Sequence, residues 1–397
     1  MSEETGDPGA AMSSIGDLSA GRLSRVSALK LYDFRNYGSL DLRFDKRFVV
    51  FAGPNGAGKT NLLEALSLLS PGRGMRRASY GEMMRQAGAN AFSVRADLTL
   101  GDDMTSVLTG VKGEEDRPAS RQVRIGETVV KSSDELLDLS RIVWLTPGMD
   151  GLFTGPAGDR RRFLDRMVLS IDPAHGRRAG DFERAMRSRN KLLSDNRNDD
   201  VWLSGIETQM AELAVAMVFA RDQLVGHLER AIAMADIASP FPKAGLDLDH
   251  GLETSDLSAP AVEIEDRYRE RLARNRMRDA YAGRTLEGPH RADLSVTHLA
   301  KAMPAGLSST GEQKALLVGL IIAHARITSA LSGMTPILLL DEIAAHLDAG
   351  RRASLFDLVA ELGGQTFMTG TDASLFEALG ERAQMVTITD GAARTGP

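Results

Sequence analysis

The stretch GPNGAGKT, Gly53 to Thr60, constrains this chain more than any other. Its glycines, lysine and final hydroxyl satisfy the phosphate-binding loop pattern, which operates only between a strand and a helix. The preceding FVVFA is apolar throughout and reads as a core strand, and the following TNLLEALSLLS has helical periodicity. In such a loop Gly53, Pro54, Asn55, Gly56, Ala57 and Gly58 let the backbone wrap phosphates. Lys59 reaches the β and γ oxygens, and the Thr60 hydroxyl ligates Mg²⁺. ATP and Mg²⁺ are therefore the expected cofactors.

The second half of the site is expected at TPILLLDEIAAHLD. Four apolar residues predict an interior strand, and Asp341 at its C-terminal edge can hold the Mg²⁺ shell. Glu342 is placed to polarise an attacking water. A plain helix cap, Asp followed by a first-turn Glu, is the bland alternative, and the phosphate loop outweighs it. Asp341 lies 282 residues beyond Lys59, so a large insertion separates the two halves of one nucleotide site. Ahead of Asp341 runs SSTGEQKALLVGL, residues 308 to 320. Its helix start carries more hydroxyls than a single cap needs, and a helix N-terminus can hold an anion.

The rest of the chain arranges itself around these points. Residues 26–52 read as an antiparallel strand pair followed by the core strand, and residues 91–130 continue a β-subdomain. From Arg160 to about Ile237 apolar residues recur at helical spacing, which fits two long antiparallel helices. Residues 239–260 read as a connector broken by Pro and Gly, and a third helix spans roughly 261–281. GRTLEGPHRADLSV then reads as a returning strand, and QTFMTGTD and QMVTITDG as two more. The predicted fold class is α/β, with a head built from both chain ends and a helical arm inserted in the middle. The expected boundaries are 1–25 for a disordered leader, 26–140 and 282–397 for the head, and 141–281 for the arm.

Composition narrows the setting. All 397 residues include no cysteine, which excludes disulfides and thiolate metal sites and suits a reducing cytoplasm. No apolar run approaches a membrane span, and the leader has neither the basic start nor the apolar segment of a signal peptide. The net charge of −6 argues against indiscriminate nucleic-acid binding, without excluding a local basic surface. One such concentration exists: residues 160–200 hold 11 Lys and Arg against 7 Asp and Glu. Arg160, Arg161, Arg162, Arg184, Arg187, Arg189 and Lys191 contribute to it. Phosphate contact by backbone and shape, or a solvated helical face with ion pairs, both fit the pattern. Arg160 to Arg162 can equally pin the base of the arm. His290 and Asp293 are two ligands at most, so packing of a turn is preferred there to a metal.

The order of phosphate loop, helical insertion, Ser-x-Gly helix and Asp-Glu strand resembles the ABC-type ATPase heads of the SMC class. In that class the phosphate loop of one subunit faces the Ser-x-Gly helix of another across ATP. Ser309 and Gly311 match the signature positions, with Thr310 between them. Asp348 matches the loop that crosses the dimer seam. LKLYDFRNYGSLDLRF, DRRRFLDRMV, RAMRSRNKLL and LEGPHRADL bring the resemblance closer still to the RecF family of bacterial recombination mediators. That resemblance runs from Leu29 to about Asp372, and FRNY and GPHRADL are its specific elements. It places Arg35 near the nucleotide.

The resemblance implies an ATP-dependent DNA-binding protein of recombinational repair and replication, sequence-independent and directed to single-strand/double-strand junctions. It also implies a homodimer closed by ATP and reopened by slow hydrolysis, with RecR and RecO as partners and RecA served indirectly. Two departures stand out. VWLTPGMDGLF lacks the Gln that many ABC heads use to sense the γ-phosphate, and MTGTD lacks the switch His. Thr369, Thr371 or Asp372 are the candidates to replace that His. A transporter ATPase subunit should carry the Gln and the His and lack the long arm. An SMC-like structural or anti-phage ATPase should carry a long coiled coil or a fused nuclease. Neither pattern is present.

Overall fold

The computed structural model describes residues 22–86, 88–112, 120–195, 199–235, 239–253 and 257–395. β1 (Arg22–Phe34) and β2 (Tyr37–Arg43) form the expected antiparallel pair, with Ala28 opposite Arg43 and Phe34 opposite Tyr37. β3 (Phe48–Ala52), buried at every position, leads through the phosphate loop into α1 (Lys59–Ser67). A one-turn helix α2 (Tyr80–Met83) precedes β4 (Ala91–Leu100), β5 (Asp103–Lys112), β6 (Arg121–Ile125), β7 (Thr128–Val129) and β8 (Ile142–Leu145). The middle is helical: α3 (Ala157–Leu169), α4 (His175–Ser194) and α5 (Asp200–Met234). β9 (Ala244–Asp249), α6 (Ala261–Arg274), α7 (Arg276–Ala282), β10 (Asp293–His298) and β11 (Met303–Pro304) follow. α8 (Thr310–Ser332), β12 (Met334–Thr335), β13 (Ile337–Leu340), α9 (Ala349–Leu362), β14 (Thr366–Gly370), β15 (Ala383–Thr389) and β16 (Ala392–Thr395) complete the order.

These elements form two compact units, one of Met1–Met149 with Ile321–Pro397 and one of Asp150–Leu320. In the first, a sheet of order β16-β15-β3-β14-β13-β8 is parallel except at its β16 edge. β3, β8, β13 and β14 are buried at every position, the expected state of parallel strands covered on both faces. A second, largely antiparallel sheet runs β12-β1-β4-β5-β6-β7, with β2 on β1. Phe44, Phe51 and Phe367 pack ring to ring where the loop after β2 covers β3 and β14. In the second unit β9 and β11 flank β10, and the helices form their own core around Phe182, Met210, Ala214, Met217, Tyr268 and Leu272. α5 and α8 are long and apolar enough to cross a membrane by length and composition. Their apolar side chains go into the core instead: Met210, Ala214 and Val218 of α5 and Leu316, Leu317 and Ala325 of α8 are buried.

Several expectations change. β1 begins at Arg22, inside the leader expected to reach 25, and residues 1–21 lie outside the described ones. The compact units divide after 149 and after 320, whereas the sequence suggested 140 and 281. Between Arg160 and Ile237 there are three helices rather than two, because the chain turns at Asp172–Pro173, where Pro cannot continue a helix. The helix expected over 261–281 breaks at Asn275 into α6 and α7. Only Asp293–His298 of the expected return strand is extended, since Gly288 at φ +137 and Pro289 open a single turn of 3-10 helix. β9 lies inside the stretch read as connector and pairs antiparallel with β10 from Ala244 to Asp249.

Candidate functional site

The phosphate loop leaves the C-terminal edge of β3, and two of its glycines have no alternative. A Cβ on Gly53 would meet the Ile388 carbonyl at 2.2 Å, and one on Gly58, at φ +111, would meet Asn36 Nδ2 and Tyr37 Oη at 2.6 Å. The turn between β1 and β2 thus buttresses the loop. Asn36 Nδ2 donates to the Ala57 carbonyl at 3.1 Å, and Asn61 Nδ2 of α1 donates back to Asn36 Oδ1 at 2.8 Å. Lys59 is buried, and its ammonium donates to the carbonyls of Gly53 (2.7 Å) and Pro54 (2.8 Å). Burial lowers its pKa, against the pull of Glu342 and Asp341.

The carboxylates come from the next strand but one. β14 lies between β3 and β13, so its C-terminal residue positions stand between the phosphate loop and Asp341. Thr369, fully buried there, donates to Asp341 Oδ1 at 2.8 Å, and Thr60 donates to the same oxygen at 2.9 Å. The Glu342 N–H donates to Thr369 Oγ1 at 2.8 Å. Glu342 sits at φ +51 and ψ +19, a left-handed conformation that costs a non-glycine residue about 1–3 kcal/mol. Strain of that kind persists where the surroundings over-determine it, and here the Thr369 bond helps to hold the backbone.

Burial raises the pKa of Asp341, while the two hydroxyl bonds and Arg76 oppose the shift. A carboxylate and a hydroxyl within hydrogen-bond reach are hard oxygen donors of the kind Mg²⁺ takes. No cluster of three or more His, Cys, Asp or Glu among the described residues could hold a metal by itself. A site of one or two protein oxygens completed by substrate phosphates is the usual Mg²⁺ arrangement, and Asp341 with Thr60 fits it. Of the three candidates for the missing switch His, Thr369 touches the carboxylate. Asp372 instead accepts the Ser374 N–H at 2.8 Å, and Thr371 is exposed.

The remaining sequence candidates lie outside this cluster. Arg35 turns to α1, where its guanidinium forks onto Glu64 at 2.8 and 2.6 Å and donates to the Glu82 carbonyl at 2.7 Å. Glu64 is fully buried, and Arg35 compensates its charge together with Arg76, whose Nη1 lies 3.6 Å from Glu64 Oε2. Arg76, which sequence reasoning passed over, donates to Asn61 Oδ1 at 2.9 Å on the same helix. No motif spacing announces it. Asp348 caps α9 by accepting the Arg351 N–H at 2.9 Å. In the other unit Ser309 is exposed at the start of α8. Its N–H (3.1 Å) and hydroxyl (2.9 Å) both donate to Glu312 Oε2, while Lys301 holds Oε1 at 2.5 Å. These bonds pull the Glu312 carboxyl down to about 2. Gly311 is exposed beside them, with open space where a Cβ would stand.

The arm's cations divide sharply. Arg160 forks onto Asp293 at 2.7 and 2.8 Å, and Arg161 donates to the Ala292 carbonyl at 2.7 Å, so the DRRRF and HRADL segments are fastened together. Arg162 pairs with Asp159 and Arg184 with Asp181. Arg189 is fully buried, bonded to Glu207 (3.0 Å), Asp279 (2.8 Å), Thr285 (2.9 Å) and the Leu272 carbonyl (2.7 Å). It belongs to the core of the arm and cannot meet a phosphate. Arg187 and Lys191 are exposed on α4 and have no ion-pair partner among the described residues. His290 bonds to the Thr285 carbonyl at 3.0 Å, as a turn residue should.

Comparison with known proteins gives a consistent neighbourhood. The model of the RecF/RecN/SMC N terminal domain matches residues 25–394. The DNA replication and repair protein RecF of Rhizobium rhizogenes (strain K84) is 58% identical over 366 residues, 92% of this chain and 97% of that protein. Its counterpart in Mesorhizobium japonicum is 55% identical over 93% of this chain and 97% of its own length. Among solved structures, the recombination mediator protein RecF-ATPrS in the RecFOR pathway superposes with a TM-score of 0.84 at 22% identity, covering 95% of this chain and 99% of that one. An Smc head domain from Pyrococcus furiosus with an extended coiled coil superposes at 0.52 and 15% identity, covering 94% of this chain and 96% of that one. These structural likenesses carry the fold.

Proposed function

The chain belongs to the RecF family of DNA replication and repair proteins, and on that premise we propose that it is an ATP-dependent DNA-binding protein of recombinational repair. The observation that carries the proposal is the convergence of the Thr60 and Thr369 hydroxyls on Asp341, with the Glu342 N–H held on Thr369, at the strand edge beside the phosphate loop. The loop from Gly53 to Thr60 binds the triphosphate of ATP, and Lys59 exchanges its carbonyl partners for phosphate oxygens. Thr60 and Asp341 would hold Mg²⁺, which would supply charge neutralisation at the phosphates. Glu342 accepts a proton from the attacking water, and Thr369 keeps its backbone in place. Turnover is slow, and ATP serves chiefly to hold two copies together head to head.

The DNA is a gapped duplex with a single-strand/double-strand junction, gripped without reading its sequence. RecO and RecR are the partners, RecA loading is the outcome, and the cytoplasm is the compartment. ATP hydrolysis measured with and without gapped duplex tests the core of this reading. DNA should stimulate a weak basal rate, and a chain that neither binds nor hydrolyses ATP overturns it.

A second test addresses the arm. If Arg187 and Lys191 meet backbone phosphates, reversing both charges should weaken all duplex sequences alike. It should also flatten the plot of log affinity against log salt by about one unit for each phosphate that is no longer neutralised. An unchanged slope assigns the pair to a solvated helix face.

A further inference from the structure

α7 is a short helix with an unusual attachment. Of its seven residues only Asp279 is buried. Asp279 accepts from Arg189 at 2.8 Å and from the Leu286 N–H at 3.1 Å. Arg276 forks onto Glu207 at 3.0 and 2.5 Å and reaches Asp200 at 2.8 Å. Buried charge networks of this sort contribute little net stability, and their best-attested use is to fix one arrangement. What is fixed here is the outward face. Met277 is 87% exposed and Tyr281 97%. Four residues apart, they share one ridge of the helix, with Arg278 on the same exposed arc. Arg274 precedes the helix and Arg284 follows it, both exposed. None of Arg274, Arg278 and Arg284 has an ion-pair partner among the described residues, and the one acid between them, Asp279, is taken by Arg189.

Scattered exposed apolar residues need no explanation, but a bare tyrosine among three unpaired arginines on a rigidly held helix has a specific chemistry. Arginines without carboxylates favour a polyanion, and an exposed ring adds an attraction that phosphates alone cannot use. The bases of a duplex are already stacked, so the ring needs an unpaired base. We propose that α7 is a contact for single-stranded DNA, with Tyr281 stacking on one base and Arg274, Arg278 and Arg284 holding the flanking phosphates. This rests on the DNA-binding reading above and locates its single-strand side. Tyr, Met and Arg also suit protein interfaces, but an excess of three unpaired cations argues for nucleic acid.

The test uses the full chain and two probes, a labelled single strand carrying 2-aminopurine and a blunt duplex of the same length. Tyr281→Ala should weaken binding of the single strand roughly 5- to 150-fold, the range seen for loss of one stacking ring, and abolish the 2-aminopurine quenching. Duplex affinity and melting temperature should stay unchanged, and Tyr281→Phe should behave as wild type. Arg278→Glu should independently lower the salt slope for the single strand by about 0.7. Equal loss on both probes, or no loss on the single strand, overturns the proposal while leaving the underlying DNA-binding reading standing. Loss of a RecR or RecO interaction with normal single-strand affinity overturns it too, and moves α7 to a protein interface. Failure of the wild-type chain to bind either probe sinks the underlying DNA-binding reading itself.

Discussion

Replacing Glu342 with Gln should leave ATP and DNA binding in place and lower turnover about 10²-fold or more, the usual scale for losing a general base. The substitution keeps the side chain's size and removes its negative charge, and with it its ability to take a proton. The surrounding geometry gives the expectation its specificity. Glu342 is held in a left-handed backbone conformation, with its N–H on Thr369, and Thr369 is bonded in turn to Asp341. None of these bonds involves the Glu342 carboxylate, so the variant should fold and bind nucleotide normally. Lys59→Met is the contrasting variant. It removes a buried ammonium whose partners are the loop's own carbonyls, and it should abolish nucleotide binding and any closure that depends on it. Equilibrium ATP binding and single-turnover hydrolysis separate the two. Near-normal turnover in the Glu342 variant would move the general base elsewhere.

The parts of this site that were legible in the sequence are those whose chemistry is local. A phosphate loop must join a strand to a helix within a dozen residues, and a carboxylate at a buried strand's edge is visible as ILLLDE. Long-range pairing was not legible. Thr369 could not be preferred to Thr371 or Asp372 until β14 was seen to lie between β3 and β13. Arg189 looked like one more surface cation because its neutralising partners, Glu207 and Asp279, lie 18 and 90 residues away. Arg35 was expected at the nucleotide because of the resemblance, yet Glu64 on α1 claims its guanidinium. The buried acid gives little sign of itself within an amphipathic run. β9 was hidden for another reason: AGLDLD sits among turn residues, and only its partner β10 makes it a strand.

The helix that begins at Ser309 carries the other large expected effect. Its first internal hydrogen bond runs from the Gln313 N–H to the Ser309 carbonyl, which leaves the N–H groups of Thr310, Gly311 and Glu312 ahead of the ladder. Glu312 already supplies one carboxylate oxygen to the Ser309 N–H and hydroxyl, so fastening the helix start through that bond is the plain role for Ser309. The resemblance to SMC-class heads assigns a second role: to receive the γ-phosphate of ATP held by another copy of the chain. A two-fold axis would then place two such contacts symmetrically, and both sites would close together. Charge-assisted hydrogen bonds of this kind are worth about 1.5–3 kcal/mol each, enough in a pair of sites to tie dimerisation to ATP.

Ser309→Arg should therefore bind ATP as a monomer and fail to dimerise with it, as read by light scattering across a size-exclusion column. Ser309 is exposed, so the change should leave folding intact, and retained ATP binding checks that directly. Mixing this variant with Lys59→Met leaves one composite site whole, made from the intact loop of one chain and the intact helix start of the other. Some ATP-dependent dimer should then return, even if turnover requires both sites. Normal dimerisation of Ser309→Arg alone would reduce Ser309 to its bond with Glu312.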